Sequence, residues 1–379
     1  MHLSTVFKFT STLLATQAQA YLHSGFAFKP STVGLQRAQL VRSMLHVILC
    51  LLISELLDAK IDPLPLPFNF NTSNSEIAHA SNSWWISSFV HGDNNHQYMI
   101  LSHVLATGAY SIYRGSIYDI TEPDFVQFTT TTTDSGLLDN SQNGGFNITT
   151  NDFFFGSSLP GNATEQLRTA STNSDVQFDI TFDLSAPVIF NTGNGGLFQF
   201  GIDQTGEWSM PAGSTTGSLV HKGKTISIDT DHSFTWYDRQ WNIGAPASLN
   251  WTWFQLHVSS HHLESPRLLS IWSYDSNDVG HRQWATTQST PGVSNVMPVK
   301  AYEPFGPNWV SPNSNNTYSQ SWEIVLQDNT RLTVKSTHED QELRSDTFVT
   351  YEGFVTVTGV GPNGEPVSGY GLVEIQPPI

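Results

Sequence analysis

The sequence predicts an all-β protein built from many short antiparallel strands, arranged as barrels or sandwiches. Three observations carry that expectation. From Ser83 onward, β-branched and aromatic runs follow one another, many alternating at period two. Clusters of Gly, Asn, Asp and Pro, such as Asn143-Gly-Gly and Gly361-Pro-Asn-Gly, separate them. No stretch after Pro63 holds a helical period. With 379 residues, the chain is long enough for two domains, each with a core of its own.

The segments follow in order. Residues 1–59 read as a leader rather than as part of the fold. They carry Lys8, Lys29, Arg37 and Arg42, and no acidic residue before Glu55. Two export-like stretches compete there. One ends in Ala18-Gln19-Ala20; the other runs from Arg42 through the apolar Val47 to Ile53 and reaches small Ala59, with Met44 as an alternative start. Both are too short for the roughly 20 apolar residues that span a bilayer. A secretory route is the expectation, beside the readings of one long leader or an organelle transit peptide. The sequons at Asn71, Asn147, Asn162, Asn250 and Asn315 are expected glycan acceptors in a secreted chain.

The strand pattern then fills residues 60–246 and 247–379, an N-terminal and a C-terminal domain. Their boundary is set at the uncharged Ala245-Pro-Ala-Ser-Leu-Asn segment. Strand candidates include Tyr98 to Leu105, Val176 to Leu184, Phe234 to Trp241, Trp251 to Val258, Trp322 to Leu326 and Phe354 to Thr358.

Composition narrows the chemistry. Sixteen basic against 33 acidic residues, a net charge of -17, argue against a nucleic-acid partner, whose phosphates are met mostly by Lys and Arg. The single cysteine, Cys50, removes disulfide scaffolds and Cys-ligated zinc, and a cut near Ala59 would remove it as well. There is no GxSxG elbow, phosphate loop, dinucleotide fingerprint or HExxH, and Gly369-Tyr-Gly lacks the helix a nucleotide loop needs. None of the histidine groups, His91 and His96 about a turn, adjacent His261 and His262, or His338 beside Glu339, shows a metal-ligand spacing. No metal and no cofactor are expected.

What remains is a set of aromatic strands carrying isolated polar groups. Along Phe234 to Trp241, one face carries Phe234, Trp236, Asp238 and Gln240, and the other Tyr237, Arg239 and Trp241. Asp238 therefore lies beside aromatics. A carboxyl so desolvated has a raised pKa and can serve as a general acid, unless it merely ends the strand or pairs with a base elsewhere. Trp251, Trp253, Gln255 and His257 share one face of the next strand, a wall that suits either a lipophilic ligand or a domain interface. His103 reads as a core histidine. Glu352 and Glu374 read as barrel-interior carboxylates or rim charges, and one of Trp84 and Trp85 belongs to the core.

The combination of Asn82-Ser-Trp-Trp, His96-Gln-Tyr-Met-Ile-Leu-Ser-His, Trp208-Ser-Met-Pro, Thr235-Trp-Tyr-Asp-Arg-Gln-Trp, Asn250-Trp-Thr-Trp-Phe and Gly369-Tyr-Gly-Leu-Val-Glu resembles the fungal kievitone hydratase-like proteins. These look like members of the wider carotenoid hydratase (hydroxyneurosporene synthase) and AttH-like group, which also contains fungal Diels-Alderases. The resemblance covers nearly everything from Asn82 onward. It departs after Trp241, where Asn242 replaces a usual glycine. It implies a tandem pair of lipocalin-like (calycin) antiparallel β-barrel domains and a site without a cofactor. It further implies hydration of an isolated alkene, such as a prenyl group on a lipophilic phenolic, with Asp238 as the acid. Trp208 and Trp236 would line the pocket, with Tyr237 and His257 around it, beside the Trp253 that alternation places on the aromatic wall. A Diels-Alderase or a non-catalytic carrier of a hydrophobic metabolite are the alternatives, for which Gln240 and Gln255 would serve as polar anchors.

Overall fold

The computed structural model describes residues 66–377, except 108–109, 123–125, 135–137, 140–145, 160–161, 185, 243–248, 262, 264, 291 and 346–348. The predicted leader, with Met44 and Cys50, the predicted boundary between 246 and 247, and His262 lie outside the described residues.

The architecture is all-β, as alternation required, with one short helix, α1 (Phe70–Ser73), before the first strand. The N-terminal sheet contains β1 (Ser81–His91), β2 (Gln97–Ala106), β3 (Tyr110–Asp119), β4 (Val126–Asp134), β5 (Leu138–Asp139), β6 (Asn147–Thr149), β7 (Phe153–Leu159), β8 (Asn162–Thr172), β9 (Gln177–Asp183), β10 (Ile189–Phe190), β11 (Leu197–Phe200), β12 (Asp203–His221), β13 (Lys224–Ser227) and β14 (Phe234–Asn242). They pair in the order β4-β3-β2-β1-β14-β12-β9-β8-β7-β6-β5, with β10, β11 and β13 hydrogen-bonded to β12, and the sheet curls into a half-barrel.

The C-terminal sheet contains β15 (Leu249–Ser259), β16 (Arg267–Ser276), β17 (Arg282–Thr290), β18 (Val293–Pro304), β21 (Ser321–Leu326), β22 (Arg331–Ser336), β23 (Glu342–Arg344), β24 (Val349–Val360) and β25 (Pro366–Gln376), while β19 (Asn308–Val310) and β20 (Thr317–Ser319) form a small ribbon. Pairing of β22 with β24 closes the order β22-β21-β18-β17-β16-β15-β25-β24 into an eight-stranded barrel, which leaves only β23 outside the ring. Closure explains Gly369-Tyr-Gly. A Cβ on Gly369 or Gly371 would lie 2.0 Å from the His257 carbonyl oxygen or 1.9 Å from that of Gln255, so β25 reaches β15 only without side chains there.

Two cores follow from the two sheets, and a third lies between them. Trp84, Ile86, Phe155, Phe182, Trp208, Tyr237 and Trp241 fill the N-terminal core. Phe254, Leu256, Tyr351, Val355 and Val373 fill the barrel lumen. The third joins Trp85, Phe89, Phe234 and Trp236 of the first sheet to Trp253, Trp272, Phe354 and Leu372 of the second. Strands β1 and β14 are therefore buried on both faces, the first side chain of each alternating pair serving one core and the second the other. Trp84 belongs to the N-terminal core and Trp85 to the intersheet one.

Candidate active site

Cross-strand register places Asp238. It lies between Trp85 of β1 and Ser209 of β12, and in an antiparallel pair directly opposed residues share a face. Asp238 is buried in the intersheet core, and Ser209 Oγ donates a hydrogen bond to its Oδ1. Arg239, one residue on, points the other way into the N-terminal domain, as alternation predicted.

Three further carboxyls share this region, two of them buried, Glu207 and Glu352, and one half-buried, Glu374. Glu207 lies on the Ser209 face of β12, and its Oε1 accepts a hydrogen bond of 2.6 Å from Asn191 Nδ2. Glu352 and Glu374 stand directly opposite one another on β24 and β25. They face out of the barrel toward the first sheet, not into the lumen and not at a rim. Trp85 Nε1 donates to Glu352 Oε2 at 3.3 Å, and Trp251 Nε1 donates to Glu374 Oε1 at 2.7 Å. Arg114 of β3 forms an ion pair with Glu352 at 3.2 Å.

Arg114 also donates to Thr350 Oγ1 and to His103 Nδ1. Because arginine can only donate, His103 carries its proton on Nε2 and passes a hydrogen bond of 2.9 Å to Ser83 Oγ. Burial, reinforced by the Arg114 charge, holds the His103 pKa well below its ordinary value. His103 is thus a neutral partner that fixes Arg114 against the second barrel.

The electrostatics follow from many acids and few bases packed together between the sheets. Burial pushes Asp238 up to about 7; the Ser209 hydrogen bond and the nearby Trp236 N–H pull it back, and the Glu374 charge adds to the rise. That indole N–H acts from outside hydrogen-bonding geometry. Burial, and then the charge of Asp238, raise Glu207 well above the carboxylate range. Burial and the facing Glu374 push Glu352 up to about 8 despite Arg114. Burial raises Glu374 as well. At neutral pH the group therefore holds protons instead of four negative charges.

An aromatic wall faces these acids. Trp253 meets Trp85 edge to face at 5.2 Å between ring centroids and lies 5.9 Å from Trp272. His257 stacks on Tyr370 at 5.6 Å, and the edges of Phe234 and Trp236 meet it at 4.9 and 5.6 Å. Burial lowers the His257 pKa to about 3, so this imidazole is a neutral wall element and not a proton donor. Gln255 Oε1 accepts from Ser87 Oγ at 2.6 Å, which ties the two sheets together, while its Nε2 has no hydrogen-bond partner among the described residues. Gln240 is half-buried at the edge of the group and donates to Thr205 Oγ1 at 3.3 Å.

Asp238, Trp236, Gln240, Trp253, Gln255 and His257 thus come together. Trp208 and Tyr237 do not join them. Trp208 pairs with Arg239 in register, donates to Ser73 Oγ at 3.0 Å and packs on Phe70 at 4.8 Å. Tyr237 donates to Asn74 Oδ1 and meets Trp208 at 5.5 Å. Both belong to the N-terminal core, because β12 and β14 align their odd and even positions in that register. The residues the sequence reading missed are Glu207, Asn191, Ser209 and Arg114. A signal for Glu207 was present in the alternation of Thr205, Glu207 and Ser209 against Gly206, Trp208 and Met210. A separate cleft of about 340 Å³ opens at one end of the barrel, bordered by Arg267 and Asp328; none of the four carboxyls lines it.

Fold and site together define an all-β protein of two barrel-like domains, one closed and one a half-barrel, with a proton-holding carboxyl set against an aromatic wall. The chain belongs to the AttH-like family, whose model matches residues 103–377. It is similar to kievitone hydratase of Fusarium solani subsp. phaseoli, 36% identical over 82% of this chain and 86% of that one. It is also similar to the dehydratase asqC of Emericella nidulans, 26% identical over 85% of this chain and 92% of the other. The crystal structure of kievitone hydratase from Nectria haematococca matches with a TM-score of 0.73 at 31% identity, covering 82% of this chain and 93% of that one.

Proposed function

We propose that this protein is a hydro-lyase that adds water across an isolated alkene of a lipophilic metabolite, such as a prenyl side chain, with Asp238 as the general acid. The similarity to kievitone hydratase supports the reaction class. One observation carries the assignment of the acid: a buried carboxyl with its pKa near 7 faces the indoles between the two sheets.

The chemistry follows from that pairing. Protonated Asp238 delivers its proton to an alkene carbon, and a tertiary carbocation forms at the other carbon. The ring faces of Trp236, Trp253 and Trp85 stabilise that positive charge in a space of low dielectric. Water then bonds to the cation, and its surplus proton returns to the Asp238 carboxylate. No net proton is consumed. Gln255 Nε2, without a partner among the described residues, is available to a substrate oxygen. No step requires a cofactor.

Turnover in water enriched in oxygen-18 tests the reading on a prenylated phenolic. A product that carries the label in a new tertiary alcohol supports hydration. A cyclised product without label would point to a Diels-Alderase, and stoichiometric binding without turnover to a carrier.

Secretion is part of the same proposal, supported by the leader-like segment and the sequons. Asn315 is exposed, and Asn147 and Asn250 are half-buried; Asn71 and Asn162 fall in described backbone whose side chains lie outside the described set. Recovery of the protein from culture medium, with an increase in gel mobility after glycosidase treatment, checks it. Intracellular retention of an unglycosylated chain would overturn it.

A further inference from the structure

A second group of titratable side chains lies away from Asp238, at one end of the N-terminal sheet. His96 precedes β2, Asp119 ends β3, Glu122 lies in the turn that follows, and His221 ends β12. Each presents one nitrogen or oxygen atom, and all four atoms lie within 4.8 Å of one another. His96 Nδ1 is 2.7 Å from Asp119 Oδ2, and His221 Nε2 approaches the same oxygen at 3.7 Å. The catalytic proposal uses none of these groups.

The arrangement has the marks of a built site. Asp119 is fully buried. Its other oxygen, Oδ1, accepts the backbone N–H groups of Thr121 and Glu122 at 2.9 Å each. Those two bonds fix the carboxylate so that Oδ2 faces both imidazoles, the role that outer-shell bonds play for metal ligands. His221 is buried too, whereas Glu122 is half exposed and pairs with the solvent-facing Lys222 Nζ at 2.7 Å. An ion therefore has a route in from the Glu122 side. Two separate parts of the sheet meet here: the end of β2–β3 and the β12–β13 hairpin. Beyond this cluster the β1–β2 turn, which leads into β2, joins the end of β13 through a bridge between Gly92 and Ile228 and a hydrogen bond of 2.9 Å from the Asp93 N–H to the Ser227 carbonyl.

Two imidazoles with two carboxylates form a donor set for a first-row transition ion, since imidazole disfavours magnesium and calcium. Four protein ligands leave no open position on a tetrahedral ion, as in structural zinc sites. We propose that His96, Asp119, Glu122 and His221 bind a divalent transition ion, zinc in the first instance, which clips the β12–β13 hairpin onto the end of β2–β3.

The test uses the full chain, stripped with a chelator and titrated with zinc or cobalt(II) chloride. One equivalent binds saturably, cobalt gives the visible absorption of a four-coordinate ion, and saturating zinc raises Tm by about 2 to 4 °C. Glu122→Gln changes an exposed side chain and keeps the fold. It weakens zinc binding at least about tenfold, the loss that even an outer-shell partner typically causes. His221→Gln removes the stoichiometric site. The proposal fails if the wild-type chain binds no equivalent of either ion. It fails equally if both variants bind zinc with wild-type affinity, which would assign the ion to other histidines.

Discussion

Strand β14 buries charge on both of its faces and treats the two charges in opposite ways. On one face, the Arg239 guanidinium donates to the carbonyl oxygens of Ser73, Ser75, Ser83 and Gln240 and to Asn82 Oδ1, and it lies over the rings of Trp84 and Trp241 at 4.5 and 5.5 Å. On the other face Asp238 has one hydroxyl donor and indoles. Arg239 is saturated and holds α1 and the following loop to the sheet. Asp238 is under-solvated and retains its proton. A buried charge with every hydrogen-bonding position satisfied is architecture, whereas one whose charged form is poorly supported is poised to exchange a proton.

The sharpest way to break the comparison is Asp238→Asn. The amide oxygen still accepts from Ser209, so the fold persists, while hydration falls by about 10²- to 10⁴-fold, as expected for loss of a general acid. Product formation in single-turnover assays, with circular dichroism as a control, checks this; turnover within tenfold of wild type would exclude the acid role. On the opposite face, Arg239→Met leaves buried carbonyls without donors and costs about 3 to 5 kcal/mol of stability. Urea titration measures it, and residual activity should track the folded fraction.

The pH dependence separates the faces next. Asp238 moves from 3.8 to about 7 on folding, and Glu352 from 4.5 to about 8. Between the lower and upper values, the unfolded chain has released a proton that the folded chain keeps. Stability therefore falls as pH rises from about 4 to about 8, by at most about 1.4 kcal/mol per unit for each group, and levels off above that. Activity falls through the upper limb near pH 7, where the acid is lost. Tm and kcat/KM profiles between pH 4 and 9 check both, and Asp238→Asn removes its share of the slope.

Smaller changes sharpen the assignment. Glu374→Gln removes a charge that raises Asp238, so the alkaline limb moves to lower pH, while the amide oxygen still accepts from Trp251 and the fold is retained. Trp208→Phe removes the N–H bonded to Ser73, costs about 1 kcal/mol of stability and leaves kcat unchanged. A large loss of kcat there would return Trp208 to the site.

Much of this was legible along single strands. Alternation placed Asp238 with Trp236, set Arg239 on the other side, and put Trp253, Gln255 and His257 on one wall. It could not relate one strand to another. Trp208 and Glu207 are adjacent in β12, and only the register opposing Ser209 to Asp238 decides that Glu207 faces the site and Trp208 the core. A shift of one residue would exchange them.

The sequence by itself determined the strand class and the faces of each strand, because side-chain direction in a strand is a local property of the backbone. The tertiary structure alone decided that the wall and the acids lie between two sheets rather than inside a barrel. It also gathered Glu207, Glu352 and Glu374 around Asp238. Proton affinity there depends on water excluded by the opposite domain and on charges more than a hundred residues away in sequence, and neither is written in a local pattern.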